Sequence, residues 1–210
     1  MANNLFISYG GDEMFDNGFP YISDEIVNRV VALVPPQTYG YISTPVTADH
    51  YIDYFLGQTQ MSFPYRLYSF EVEDTVFSKL DFTEKMILHC IYTRSCDGYI
   101  RERHVKALLA EDFPEWTIPY IFKVCDEYII EILQIVYDNL KDGNTDKFKS
   151  FCANNQASFC KSYHRMISYW NVYYRTWDAF FRNDYYRFED YVGRKLFIEC
   201  FGAEEAMKYS

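Results

Sequence analysis

No apolar run in this chain approaches the roughly 20 residues that a membrane-spanning helix requires, so no helical span is expected. The opening Met1-Ala-Asn-Asn-Leu5 lacks a basic stretch followed by an apolar one, and no secretory signal peptide is expected. Basic residues are in deficit: 20 Lys+Arg stand against 30 Asp+Glu, a formal net charge of −10. That balance opposes DNA or an anionic membrane as the main partner, because phosphate binding needs a basic footprint. Walker, Rossmann, nucleophile-elbow and His-Glu-x-x-His patterns are all missing, so no cofactor and no catalytic set is expected. The six cysteines, Cys90, Cys96, Cys125, Cys152, Cys160 and Cys200, are irregularly spaced. They read as reduced thiols of a cytoplasmic protein rather than a disulfide framework.

Aromatic residues are abundant instead, at 20% of the chain with 21 Tyr and 18 Phe. Tyrosine buries a large ring while its hydroxyl stays wet or bonded, which suits half-buried helix faces or a recognition surface. Charge is uneven along the chain. Residues 1–75 carry 2 basic and 10 acidic side chains, 76–143 carry 8 and 12, and 144–210 carry 10 and 8. The acidic front permits a basic protein partner. Residues 1–75 are expected to form a loop-rich acidic segment packed on a helical domain of residues 76–210.

In the first segment two helices fit between the Gly and Pro breaks: one from Ser23 to Val34, the other from Thr47, as cap, to Leu56 before Gly57. Residues 67–77 read as irregular. Helices then follow from Asp81 to Arg94, from Tyr99 to Ala110 behind an Asp97 cap, and over about 114–124, bent or shortened by Pro119. Another runs from Glu127 to Leu140 behind an Asp126 cap. Thr145 caps a helix to about Ala153. A long one from Gln156 carries Phe159, Tyr163, Ile167, Trp170, Tyr174, Trp177 and Phe181 at steps of three and four, a helical apolar stripe. A last helix is expected from Asp184. The fold class is all-α, with an aromatic-rich C-terminal helical layer.

Asp97-Gly-Tyr-Ile-Arg-Glu102 and Asp126-Glu-Tyr-Ile-Ile-Glu131 match at Asp, Tyr, Ile and Glu, 29 residues apart. Periods of this length mark helical solenoids, whose hairpins bury their faces only by stacking. With Leu108-Leu109 and Ile118-Pro119-Tyr-Ile between the copies, residues 81–140 resemble HEAT-like repeat proteins. In that family an Asp-x-apolar-apolar-Arg opening caps the second helix of a hairpin and a Pro marks its partner. Arg101 fits that opening; Ile130, its counterpart, does not. The resemblance implies a HEAT-like α-solenoid scaffold that binds other proteins more than it catalyses.

Arg101, Glu102, Arg103 and Glu131 place charges beside the repeat interface, either as bridges between stacked hairpins or as a concave binding face. Tyr173, Tyr174, Arg175 and Trp177 belong to the aromatic and Arg anchors expected to meet a partner. His89, Cys90, Cys96 and His104 are soft ligands close in sequence, but they lack zinc-site pairing and no metal is expected. Cys160 and His164 share a helix face, with Cys152 in reach, but no oxyanion-hole or Gly-rich turn accompanies them. The interleaved arginines and tyrosines of residues 163–195 could stack single-stranded nucleic acid, although the net charge favours intramolecular packing. A non-catalytic protein–protein interaction module is therefore the expected function. An acidic inhibitor or immunity-type protein that covers a basic toxin or nuclease is the alternative. A nucleic-acid-acting or Cys/His-dependent enzyme is the third reading.

Overall fold

A computed structural model describes residues 14–36, 46–47, 50–143, 145–175 and 186–204. Local chemistry sets the clearest helix start. Asp81 accepts a hydrogen bond from the Glu84 backbone N–H while the Glu84 carboxylate takes the Asp81 N–H, a reciprocal capping box. The same Glu84 carboxylate receives Arg29 Nε at 2.9 Å and Nη2 at 2.8 Å, which ties helix α1 (Asp24–Val31) to helix α3 (Phe82–Tyr92).

Where a helix is expected from Thr47 to Leu56, Thr47 and Tyr51–Leu56 lie in strands. Strands β1 (Val46–Thr47), β2 (Tyr51–Leu56), β3 (Thr59–Pro64) and β4 (Leu67–Tyr68) pair as two antiparallel ladders, β1 with β4 and β2 with β3. The β2–β3 register closes at Leu56↔Thr59 over the two residues Gly57-Gln58. Gly57 takes φ +60° there, the type II′ requirement that glycine meets without strain. Gly57 is thus a hairpin turn and not a helix stop, and the aromatic, β-branched run before it packs as a strand. Tyr54 of β2 and Met61 and Phe63 of β3 face the core. The segment read as irregular holds β4 and a single turn, α2 (Asp74–Phe77).

The remaining helices are α4 (Gly98–Leu109), α5 (Ile118–Val124), α6 (Ile130–Leu140), α7 (Thr145–Asn154), α8 (Gln156–Tyr169) and α9 (Val192–Lys195). The described residues are mostly helical, with these small sheets added. Asp97 caps α4 as expected, accepting from the Tyr99 N–H at 2.8 Å. Pro119 sits in the first turn of α5, after a 3-10 turn at Glu115–Thr117, where its missing N–H costs nothing. Helix α8 widens into a π-helical turn at Trp170–Tyr174, and α9 into another at Leu196–Cys200. The last helix begins at Val192, after a turn, and Asp184 lies outside the described residues.

Helix α4 packs against α3, α5 and α6; α6 packs against α9; the hairpin lies on α7. One buried cluster runs through them all, from Met14 to Ala203. Its centre is Phe122, in ring contact with Tyr54, Phe151, Phe159, Phe197 and Phe201. Asn155, at the α7–α8 junction, bonds both the backbone N–H and C=O of Phe55, at 2.7 and 2.8 Å, and so satisfies the outer edge of β2. Among the described residues no helix is long and apolar enough to cross a membrane.

Candidate functional site

Helix α5 is buried on every side, and one of its buried residues is Lys123. An ammonium in such a place must find an opposite charge, and the next turn of chain supplies two. The loop Cys125-Asp126-Glu127-Tyr128 joins α5 to α6 and sends its two carboxylates to different cations. Asp126 Oδ2 accepts Lys123 Nζ at 2.6 Å and Arg165 Nη1, from α8, at 2.8 Å. Glu127 Oε1 accepts Arg66 Nη1 at 2.7 Å and lies 3.8 Å from Nη2 of the fully buried Arg94. Arg101 Nε stands 2.8 Å from Glu127 Oε2 without hydrogen-bond alignment, so it is held there as an ion pair. Its Nη1 donates to the Ser95 and Cys96 carbonyls in the link between α3 and α4.

Asp126 is therefore not a helix cap. Helix α6 starts four residues later, at Ile130, behind Ile129, which offers no side-chain cap. The cations on either side hold the Asp126 carboxylate in place, and the helix opening goes without it. Burial lowers the Lys123 ammonium to about 8, against the pull of Asp126. The Arg94 guanidinium falls to about 10 for the same reason, with Glu127 opposing. Lys123 and Arg66 both lie over the Tyr65 ring, 4.8 and 5.1 Å from its centroid. Beside Lys123, Asp126 and Arg165 a cavity of about 320 Å³ opens between β2 and α8.

Tyr128 ends the loop and starts a second feature. Its ring meets Tyr169 at 5.8 Å and Tyr173 at 5.1 Å, and those two meet each other at 6.1 Å. Tyr128 is 47% exposed and Tyr173 39%, so both rings stand at the surface beside Val172, 67% exposed. The ridge is anchored from below: the Tyr174 hydroxyl donates to the Tyr128 carbonyl at 2.6 Å, and the Tyr174 ring stacks on Tyr191. Burial raises the Tyr174 phenol to about 12, with the Glu131 carboxylate adding to the shift, so it is a hydrogen-bond donor at neutral pH.

The residues nominated from sequence fall into separate places. Arg101 is turned inward to Glu127, Arg103 pairs with Glu71, and Glu102 and Glu131 make no ion pair among the described residues. Tyr173, Tyr174 and Arg175 share the π-helical end of α8, where Arg175 donates to Asn171 at 2.8 Å and lies over Trp170. Trp177 is outside the described residues. Cys160 is half-buried and His164 exposed, with no hydrogen bond between them; burial raises the Cys152 thiol far above its usual range. His89 and His104 do meet, Nδ1 to Nδ1 at 2.7 Å, and His104 Nε2 reaches Glu71 at 2.7 Å. Burial lowers His89 to about 4, helped by His104 and Lys85, so the pair is neutral and one ring donates to the other. Among the described residues no three His, Cys, Asp or Glu converge as a metal site.

Sequence reasoning missed the Arg66–Arg94–Glu127 and Lys123–Asp126–Arg165 groups. A signal existed in Trp116-Thr-Ile-Pro-Tyr-Ile-Phe-Lys-Val-Cys125, where one lysine interrupts an otherwise apolar run. A lysine that such a run carries into the core needs a paired charge there. No family model matches the chain, and neither a curated protein nor a solved structure is similar to it.

Proposed function

We propose that this protein is a non-catalytic protein–protein interaction module that docks its partner on the ridge of Tyr128, Tyr169 and Tyr173. One observation carries the reading. Tyrosines from two separate stretches of chain touch one another while Tyr128 and Tyr173 keep more than a third of their surface exposed. Tyr, Trp and Arg supply most of the energy at protein interfaces, and rings held in advance lose little entropy on binding. The Tyr174 bond to the Tyr128 carbonyl and the Arg165–Asp126 pair provide that prior ordering. Arg175 beside the ridge selects a partner with a carboxylate opposite it.

The scaffold beneath is read as HEAT-like, with α3–α4 as one hairpin and α6 laid on α4 as the start of the next layer. The packing of α4 on both α3 and α6 and the Asp97 cap support that reading. The module is assigned to the cytoplasm, where the unbridged buried thiols of Cys90, Cys125, Cys152 and Cys200 stay reduced.

A photo-crosslinking residue placed at Val172, with the still more exposed Tyr99 on α4 as a control, tests the reading in source cells. One dominant protein adduct is expected at 172 and not at 99. Tyr128→Ser combined with Tyr173→Ser should weaken that complex about 30-fold or more, as loss of hot-spot rings does, with an unchanged circular dichroism spectrum. Weak dependence on salt is expected of aromatic anchors, whereas steep dependence favours the acidic-inhibitor alternative. Equal adducts at both positions, or full binding by the double variant, defeat the proposal.

A further inference from the structure

We propose that the cavity between β2 and α8 binds a phosphorylated, hydroxyl-bearing small molecule. Helix α8 presents Ser158, Lys161, Ser162 and Arg165 at i, i+3, i+4 and i+7, a single helical face. The adjoining face, Phe159, Tyr163 and Met166, is in the core. A polar face of this kind ordinarily looks into bulk water. Here residues 50–54 and Tyr65 stand across from it and border a solvent-open cleft of about 320 Å³.

The groups lining this space are rich in unspent donors. Lys161 makes no ion pair or hydrogen bond among the described residues, and neither do the Ser158 and Ser162 hydroxyls. The Tyr54 residue is 2% exposed, and its hydroxyl likewise has no hydrogen bond among them. Burial holds that phenol protonated, so it can donate. Lys123, Lys161 and Arg165 face Asp53 and Asp126, an excess of one positive charge inside a chain whose net charge is −10. One acceptor is also unspent: Asp126 Oδ1 is buried without a hydrogen bond while Oδ2 holds both cations.

This inventory selects the ligand class. A carboxylate brings two oxygens and one charge, too little for two free or half-spent cations and three hydroxyls. A phosphomonoester brings three terminal oxygens and a charge of about −1.5 to −2. The unpartnered Asp126 oxygen then requires a donor, which a ligand hydroxyl provides. The stacked rings of His50 and Tyr65, 4.5 Å apart, form a wall for the apolar face of a sugar. The volume lies at the small end of ligand pockets, about 300–1,000 Å³, which admits a pentose phosphate and not a dinucleotide.

The test is a titration of the full chain followed by nitrogen–proton NMR and calorimetry, with ribose 5-phosphate, ribose, inorganic phosphate and gluconate as probes. Ribose 5-phosphate should give saturable shifts confined to residues 50–54, 123–126 and 158–165. Ribose should give none, and inorganic phosphate should bind at least about tenfold more weakly for want of the hydroxyl contacts. Lys161→Gln, at an exposed and unpaired position, should weaken ribose 5-phosphate about tenfold and leave the melting temperature unchanged. The proposal falls if ribose 5-phosphate causes no saturable shift there up to about 10 mM, beyond the usual range for metabolite sites. It also falls if gluconate binds as tightly as ribose 5-phosphate, or if Lys161→Gln binds like the parent.

Discussion

Glu127→Gln isolates the electrostatic core of this molecule, because it keeps the side chain's shape and removes its charge. In the parent, the Glu127 side chain is 5% exposed and lies 2.7 Å from Arg66, 2.8 Å from Arg101 and 3.8 Å from Arg94. Without the carboxylate, Arg66, 17% exposed, can turn part-way to water and recover some hydration. Arg94 cannot, since no part of it reaches solvent, and its remaining bonds go to the Thr93 carbonyl and hydroxyl. Arg101 keeps two backbone carbonyls. Removing one partner of a buried pair costs about 3–5 kcal/mol, and the partial escape of Arg66 places the expectation near the lower figure. Against a total stability of about 5–15 kcal/mol, the variant should be folded but visibly weakened in urea. Arg101→Met and the double variant complete a cycle. The pair should show a coupling of about 1–3 kcal/mol, because the second change relieves the charge that the first one strands. If Glu127→Gln unfolds within about 1 kcal/mol of the parent, or the two substitutions add, the carboxylate is not what holds the arginines and the reasoning fails.

Lys123 titrates in the folded chain at about 8 against 10.5 for the free side chain, so between those values the unfolded state binds more protons and this group favours folding increasingly as pH rises. The buried thiols act in the opposite sense, so the measure is the stability difference between parent and Lys123→Met, which should grow by roughly 1.5 kcal/mol from pH 7.5 to 9.5; a flat difference refutes it. His89, lowered to about 4, works in the acid range: the unfolded imidazole takes its proton near 6.5 and the folded one does not, so stability is lost as pH falls between these values. His89→Leu should remove part of that acid slope in thermal melts, and an unchanged slope counts against it. Gly18→Ala would bring a Cβ to 2.9 Å from the Tyr120 hydroxyl and 3.0 Å from the Phe15 ring, both in the core. Overpacking of this kind costs about 1–3 kcal/mol, and a melting temperature equal to the parent's contradicts the crowding.

Where the sequence carried its own punctuation, the fold was legible. Asp81-Phe-Thr-Glu84 and Asp97-Gly98 are complete local signals, and both helices start where those residues put them. The failure at residues 47–56 has a definite cause. Thr at one end and Gly57 at the other satisfy both helix caps and hairpin turns, and the Tyr, Ile and Phe between them favour strands once β3 lies alongside. Only the pairing partner decides, and it is not local. The tyrosine ridge was half visible, because Tyr173, Tyr174 and Arg175 are adjacent in the chain. Tyr128, which completes it, lies 41 positions before Tyr169 and carries no mark of its own. The polar face of α8 was present as Ser158, Lys161, Ser162 and Arg165, but a solvated helix surface has the same spacing. What distinguishes it is the hairpin standing across from it.

The misread Asp126 links these points. Read along the chain, Asp126-Glu-Tyr-Ile repeats Asp97-Gly-Tyr-Ile and suggests one more capped helix. In three dimensions the Gly98 of the first copy has become Glu127, and a cap has become a charged corner. That corner reaches three ways at once. Glu127 gathers the arginines of the β3–β4 link, the turn after α3, and α4; Asp126 holds Lys123 and the α8 residue Arg165 at the cavity; Tyr128 rises into the ridge. Because Arg165 is fixed by Asp126 on one side and adjoins Tyr169 one turn along α8, a ligand that draws Arg165 toward the cavity pulls on the base of the ridge. If the proposed ligand and the proposed partner both bind, they therefore share a support, and the partner should change ribose 5-phosphate affinity. Linkage requires that the phosphate change the partner's affinity by the same factor. Measuring both directions on the parent and on Asp126→Asn, which loosens that shared support, separates coupled sites from merely neighbouring ones: the two factors agree and shrink together, or no common element joins them.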